Sequence, residues 1–379
     1  MQDLLGRAFR ANPAYELALW DRLAPGERRA LERLREAPDF YGILRPLAGT
    51  PGLGVKSVDR ETALLFLTLR EPGPLPSYVR ALLGEAAGTA MARLVADGIL
   101  EIEKGGAFVS GAAAFESREA PGGEGRLARL SIAALRYGQA LAVDDPLRLS
   151  FRLYGYNRRP LTPAWQRMLP DSEAVRKWLG IAPGGANRPR LDRTWRSSPP
   201  SEAWLSWRSR REEPASPGGA TWKLYVSPAP EALPESFGAV LDALGAARAG
   251  QFKIGAGAAG LLRPDKIVAY FPSFERLAEA ADAVRSRLGG VPAQGVPFTS
   301  EIGGDGLLSW GMDPPASEGS WGGRESWRLW LTHRLARALL AARGAAEGIE
   351  PWRFALERLR LEGIDTASWT PSSGLWSEG

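Results

Sequence analysis

Residues 221–255 read TWKLYVSPAPEALPESFGAVLDALGAARAGQFKIG. WKLYVSP alternates like a strand, EALPESFGAVLDALGAA has the apolar spacing of an amphipathic helix, and FKIG is a short strand. Just beyond, KIVAYFP reads as a strand and FERLAEAADAVRSRLGG as a second helix. Strand, helix, strand, strand, helix implies an α+β domain with a mixed sheet covered on one side by helices. Residues two apart in a strand share a face, so Lys223 and Tyr225 point the same way, and Lys253 can face the same side from a paired strand. On this pattern alone, a strand lysine is more often solvent-facing than functional.

The 379 residues exceed the roughly 100–200 of a usual domain, so two domains or one elaborated domain is expected. With 44% apolar and 24% charged residues the composition is that of a globular protein, and no apolar run reaches the roughly 20 residues a bilayer requires. The start, MQDLLGRAFRANPAYELALW, lacks the pattern of a secretory signal, which reads as a cytoplasmic protein without a membrane partner. Zero cysteines exclude disulfides, thiolate metal sites and a cysteine nucleophile. The single histidine, His333, excludes HExxH chemistry and multi-histidine zinc sites. It lies in the helical SWRLWLTHRLARALLAA and reads as a helix-surface or packing residue. Acid–base work then falls to Lys, Tyr, Asp or Glu, with no cofactor implied. A net charge of +5 fits an anionic substrate and fits arginine-rich composition equally well.

Residues 1–115 read as a mostly helical, winged-helix-like region. Helical spacing runs from Ala14 to Leu34 with a break at Pro25-Gly26. PSYVRALLGEA and AGTAMARLVADG are helix-like, and GILEIEKGGAFVSG is two strands around Gly105-Gly106. Winged helices bind DNA, dock leader peptides or only pack. AGTAMARLVADG carries one Arg and one Asp, a poor surface for tracking phosphates, which speaks against a nucleic-acid partner. Residues 116–219 read as an aromatic and Pro/Gly-rich connection packing on a C-terminal domain of residues 220–379. In it, RLYGYNRRPLTPAWQRM reads either as stacking platforms for nucleic acid or as aromatic packing with snorkelling arginines. The stretch 182–219 is too proline-broken for a core, although Trp195, Trp204 and Trp207 imply that it folds back onto a surface.

From Trp222 to about Asp365 the chain resembles the HopA effector family, through WKLYVSP, FKIG, RPDKIVAYF, AQGVPFTSEIGGDGLLSWGMDPP, SWGGRESWRLW and EGID. That family is similar to phosphothreonine lyases and to the lyase domains of lanthipeptide synthetases, and its relatives occur in clusters for ribosomally made, modified peptides. The resemblance implies β-elimination of phosphate from phosphoserine or phosphothreonine, leaving dehydroalanine or dehydrobutyrine. It places Lys253 as the base, and Lys223, Arg263 and Arg324 as phosphate-holding cations. Tyr225 falls where the lyases keep a histidine acid, and is the main departure.

The chemistry suits these residues. A lysine near pKa 10.4 becomes a base at neutral pH only if burial and neighbouring cations favour the amine. The same cations hold phosphate. A phenol among cations is expected to have a lowered pKa and so to replace the histidine. GGDGLLSWG and SWGGRES lack the GxxxxGK[ST] pattern and read as turns bringing Trp310 and Arg324 to a pocket edge. No HRD or DFG kinase signature is present, so a separate kinase, and possibly a cyclase, would act on the same precursor peptide. A non-catalytic phosphopeptide- or protein-binding module and a nucleic-acid-associated winged-helix protein are the rival readings.

Overall fold

A computed structural model of the chain describes residues 4–32, 35, 39–48, 53–115, 125–199, 201–211, 221–314, 325–343 and 350–372. In chain order its first elements are β1 (Ala8–Ala11), β2 (Tyr15–Leu19), α1 (Pro25–Leu31), β3 (Phe40–Pro46), β4 (Lys56–Asp59), α2 (Arg60–Thr68), β5 (Gly73–Pro74), α3 (Ser77–Leu83), α4 (Ala87–Ala96), β6 (Leu100–Lys104) and β7 (Ala107–Val109). Five helices follow, α5 (Arg126–Ala140), α6 (Pro146–Tyr154), α7 (Pro163–Met168), α8 (Ser172–Trp178) and α9 (Arg188–Thr194). Next come β8 (Trp195–Ser197), β9 (Trp204–Ser209), β10 (Trp222–Val226), α10 (Leu233–Ala246), β11 (Gln251–Gly255), α11 (Ala258–Leu261), β12 (Ile267–Phe271) and α12 (Phe274–Leu288). The last are β13 (Ser300–Ile302), β14 (Leu308–Met312), α13 (Trp327–Ala341), α14 (Pro351–Leu361), β15 (Ile364–Asp365) and β16 (Thr370–Pro371). The class is α+β. No described helix is long and apolar enough to cross a membrane.

The chain divides into two units, one of Met1–Arg118 with Ala341–Leu361, the other of Glu119–Leu340 with Glu362–Gly379. In the first, α3, α4 and the β6–β7 hairpin follow the winged-helix order, and β6 also pairs with β1. The expected helix over 14–34 is instead a strand through Leu19, with helix only from Pro25. Tyr15 is buried and Leu17 packs on the same cluster, so YELAL follows a period of two, while Pro25 at the first helical position fixes where α1 starts. A three-stranded sheet, β2-β3-β4, results, so this region is less helical than its spacing suggests.

The second unit is built on a seven-stranded sheet in the order β13-β14-β10-β12-β11-β9-β8. The sheet was expected to be mixed; every pairing in it is antiparallel. One face carries Leu224, Val226, Phe252, Ile254, Ile267 and Ala269, which pack with Phe237 and Val240 of α10 and Leu277 and Val284 of α12. Ser273 caps α12 by accepting the Arg276 N–H. The described part of the presumed linker, 182–199 and 201–211, contributes Leu191, Trp195, Leu205 and Trp207 to this core. β9 pairs with β11, and Trp195 and Trp207 meet Phe252 at 4.7 and 5.0 Å between ring centroids. Three tryptophans supply the apolar area that the surrounding Pro, Gly and Arg obscured in the composition.

The opposite face was expected to be open, but it is covered at its β10–β14 end. A Cβ on Gly311 would lie 2.4 Å from Trp327 Cδ1, so only glycine admits α13 there. Trp327 Nε1 donates to the Phe298 carbonyl at 3.1 Å, and the Phe298 N–H donates to Ser131 Oγ at 2.8 Å. Phe298 is thereby held at φ 62°, a left-handed conformation that a bulky side chain adopts only when clamped.

Phe252→Ala should destabilise the chain by about 3–5 kcal/mol, because three aromatic neighbours lose their partner at once; urea denaturation measures it.

Candidate active site

On the face opposite α10 and α12 the strand register sets out two rows. One runs Ser309, Tyr225, Val268, Lys253, Ser206; the next runs Gly311, Lys223, Tyr270, Gln251, Arg208. Lys253 is therefore not on a strand paired with β10, since β12 lies between. What joins the two lysines is a ring of β12: Lys223 Nζ is 5.2 Å and Lys253 Nζ 5.6 Å from the Tyr270 centroid. On its other side Lys253 Nζ lies 4.3 Å from the Trp204 ring, and Arg263 Cζ lies 5.0 Å from that same ring. The order Lys223, Tyr270, Lys253, Trp204, Arg263 alternates cation and aromatic ring.

Two of the cations are anchored. Lys223 Nζ is 2.5 Å from Asp313 Oδ2, and Asp313 Oδ1 accepts the N–H of Trp327, the first residue of α13, at 2.9 Å. Arg263 grips Asp265 with Nε and Nη2, each at 2.8 Å, and Nη2 also donates to the Tyr154 hydroxyl at 2.9 Å. Asp265, 3% exposed, further accepts from the Tyr154 hydroxyl at 3.0 Å and lies 2.9 Å from Nη1 of the buried Arg328. Burial would raise this carboxyl, but Arg328 and Arg263 hold it well below the usual carboxylate range. Arg263 Nη1 has no acceptor among the described residues and is the nitrogen left to meet an anion.

Lys253 is different. Burial, then the charge of Lys223, and more weakly Arg263, push its ammonium down to about 8 against an opposing pull from Asp265. The ring contacts work the other way, favouring the ammonium by about 0.5–1 kcal/mol each. The direction is the one its sequence position suggested. Tyr225 behaves oppositely to expectation. It is 3% exposed, packed with Val268 and Val296, and burial followed by Asp313 raises its phenol well above 10 in spite of Arg328. Desolvation of a phenolate outweighs the nearby cations.

Lys223, Tyr225, Lys253 and Arg263 thus gather on one side of one sheet. Arg324 lies outside the described residues. The sequence reading missed Trp204, Tyr270, Asp265, Asp313, Tyr154 and Arg328. Asp265 was legible two residues after Arg263; Tyr154 and Arg328 are 109 and 63 residues or more from the groups they hold, and nothing local marks them. It also missed Arg158. Asn157, at φ 65°, donates to the carbonyls of Gln294 and Gly295 at 2.9 Å and so fixes the turn that presents it. Arg158 is exposed by area, and among the described residues its guanidinium donates only to the Ala259 carbonyl at 3.2 Å; partial desolvation, then the charge of Arg263, lowers its pKa. His333, by contrast, is buried in α13 with Nδ1 2.8 Å from Glu325, a packing histidine and not a surface one.

Beneath the site Lys266, fully buried, donates to the Pro228 carbonyl at 2.8 Å and to Gln294 Oε1 at 2.7 Å. Burial pushes it down to about 7. Its place is structural: it ties the loop after β10 to the segment carrying Val296. Among the described residues no group of three or more His, Asp or Glu is arranged to hold a metal ion.

No protein-family profile matches the chain, and no curated protein matches it. Among solved structures it is similar to an effector protein from Pseudomonas syringae pv. tomato strain DC3000, at 12% identity over 65% of this chain and 98% of that one, with a TM-score of 0.41. A second, from Pseudomonas syringae pv. syringae strain 61, has 13% identity, covering 65% and 99%, with a TM-score of 0.39. The phosphothreonine lyase SpvC, an effector from Salmonella, has 13% identity, covering 48% and 87%, with a TM-score of 0.24.

Asp265→Asn should destabilise the second unit by about 3–5 kcal/mol, since it leaves Arg263 and the buried Arg328 without a counter-charge. A carboxyl with a lowered folded-state pKa stabilises above its unfolded value of 3.8, and that contribution falls as pH drops below it. The acid limb of a urea-denaturation series against pH should therefore be shallower in the variant.

Proposed function

We propose that the second unit is a lyase that eliminates phosphate from phosphoserine or phosphothreonine in a peptide. The observation that carries this is Lys253. It is a half-buried amine with a pKa lowered to about 8, ringed by Tyr270 and Trp204, with cations beyond both rings.

The reaction follows from the arrangement. The neutral Nζ of Lys253 takes the α-proton of the phosphorylated residue and becomes an ammonium. The electron pair left on Cα forms the Cα=Cβ bond, the Cβ–O bond breaks, and its electrons leave with the phosphate. Lys223 and Arg263 hold the phosphate, with Arg324 as a further holder on sequence grounds, and Arg158 stands beside Arg263 as an additional one. Their ion pairs with Asp313 and Asp265 keep Lys223 and Arg263 in place. Tyr225 is the donor to the departing oxygen. With its phenol raised it contributes a hydrogen bond, and a phosphate leaving group with a second pKa of about 6 requires no full protonation. The substrate proposed is a precursor peptide phosphorylated by a separate kinase in the cytoplasm, with the first unit docking its leader and a cyclase acting afterwards.

A second reading is favoured by the same ion pairs: a site whose cations are already compensated suits holding a phosphopeptide without turning it over. Incubation with phosphoserine and phosphothreonine peptides separates the two. Elimination releases phosphoric acid and leaves a thiol-reactive alkene, both seen by mass spectrometry; saturable binding with an intact peptide supports the module. Lys253→Ala should lower elimination by roughly 10²–10⁴-fold while retaining the fold. A base must be unprotonated, so the wild-type rate should climb as pH rises through about 8. Lys223→Ala removes a charge that disfavours the Lys253 ammonium and should move that limb to higher pH; an unmoved limb would count against Lys253 as the base.

A further inference from the structure

The helix-covered side of the same unit carries a cavity of about 170 Å³ between α8, α9 and the β8–β9 hairpin. Arg176, Arg188, Arg196 and Arg210 line it with Trp195 and Trp207, and Asp192 is the only acidic one among the described residues of its wall. Trp195 and Trp207 pack on Phe252. Lys253, the next residue along β11, points to the other face, so the cavity is separate from the lysine cluster.

Three of these cations, Arg176, Arg188 and Arg210, are only partly engaged. Arg188 meets Asp192 at 2.7 Å in an exposed pair, which costs little to rearrange. Arg210 spends Nε on the backbone carbonyls of Asp192 and Trp195, at 2.9 and 3.0 Å. That fixes its guanidinium at the cavity and leaves its two terminal nitrogens without an acceptor among the described residues. Among the described residues the Arg176 guanidinium makes one hydrogen bond, to Ser172 Oγ at 3.3 Å. Independently, Trp195 is 1% exposed, and its indole N–H has no acceptor among the described residues. Leaving a buried donor unpaired costs about 1–3 kcal/mol, which a bound acceptor would recover.

We infer that this cavity is a phosphate-binding site, in which the three guanidinium groups and the Trp195 indole N–H together satisfy a tetrahedral oxyanion. Guanidinium forks match phosphate oxygens, and the aromatic floor restricts access to a compact group. The phosphate is either free inorganic phosphate or a phosphoryl group on a peptide outside the reacting position. The inference does not rest on the lyase reading.

The test observes the indole N–H resonances of the 14 tryptophans in nitrogen-15-labelled protein, with Trp195 assigned by its loss in Trp195→Phe. Lys253→Ala serves as the background, so that a phosphopeptide is not consumed. Inorganic phosphate, titrated at constant ionic strength, should shift the Trp195 signal saturably. In Arg188→Lys/Arg210→Lys, which keeps the charge and loses the forks, the apparent affinity should fall roughly tenfold or more. Competition between inorganic phosphate and a phosphoserine peptide identifies the source, the tighter ligand being the natural one. An unmoved Trp195 signal, an equal shift with chloride, or a shift unchanged in the double variant with the other indole signals intact overturns the site. Elimination activity plays no part in the readout, so this result and the lyase assay fail independently.

Discussion

The structure of the second unit turns on one carboxylate. Asp265 sits almost without solvent at the start of β12, where a lone charge would be expelled, and it stays ionised because Arg263, Arg328 and Tyr154 converge on it. Tyr154 ends α6 and Arg328 opens α13, so this contact fastens two distant helices to the loop that carries Arg263. Arg328 is fixed further by donating to the carbonyls of Pro297 and Tyr154 at 3.1 and 2.8 Å. The roof over Tyr225 and the position of Arg263 against Trp204 depend on the same anchor.

The anchoring also distributes charge. Lys223 and Arg263 have carboxylates against them, while Lys253 has aromatic rings and, among the described residues, no carboxylate in contact, so its ammonium bears burial and repulsion without an ion pair. Cation–π attraction to Trp204 and Tyr270 returns part of what burial takes away. The balance leaves the Lys253 amine lowered to about 8 beside two ion-paired basic side chains, the arrangement that the proposed base and anion holders require.

Legibility differed by residue. WKLYV, FKIG and KIVAYF were readable as strands because alternation is local, and that same alternation put Lys223 and Tyr225 on one face. The stretch 182–219 misled because proline, glycine and arginine dominate its composition, whereas Trp195, Leu205 and Trp207 decide where it packs. Tyr15–Leu19 misled because a short apolar run satisfies both periods until a pairing partner, here β3, selects one. Tyr225 misled in its chemistry: its cationic neighbours were countable, but the burial that outweighs them was not.

The sequence by itself determined the α+β class, the strands that carry the two lysines, and the exclusion of cysteine and multi-histidine chemistry, since composition and local periodicity are properties of the chain alone. Only the tertiary structure decided that β12 separates β10 from β11 and places Tyr270 between the lysines, and that Asp265 and Asp313 compensate Arg263 and Lys223. It alone decided, too, that Lys253 has no such partner among the described residues. Strand order, burial and the pairing of charges arise when residues far apart in sequence compete for the same low-dielectric space, and no local pattern records that competition.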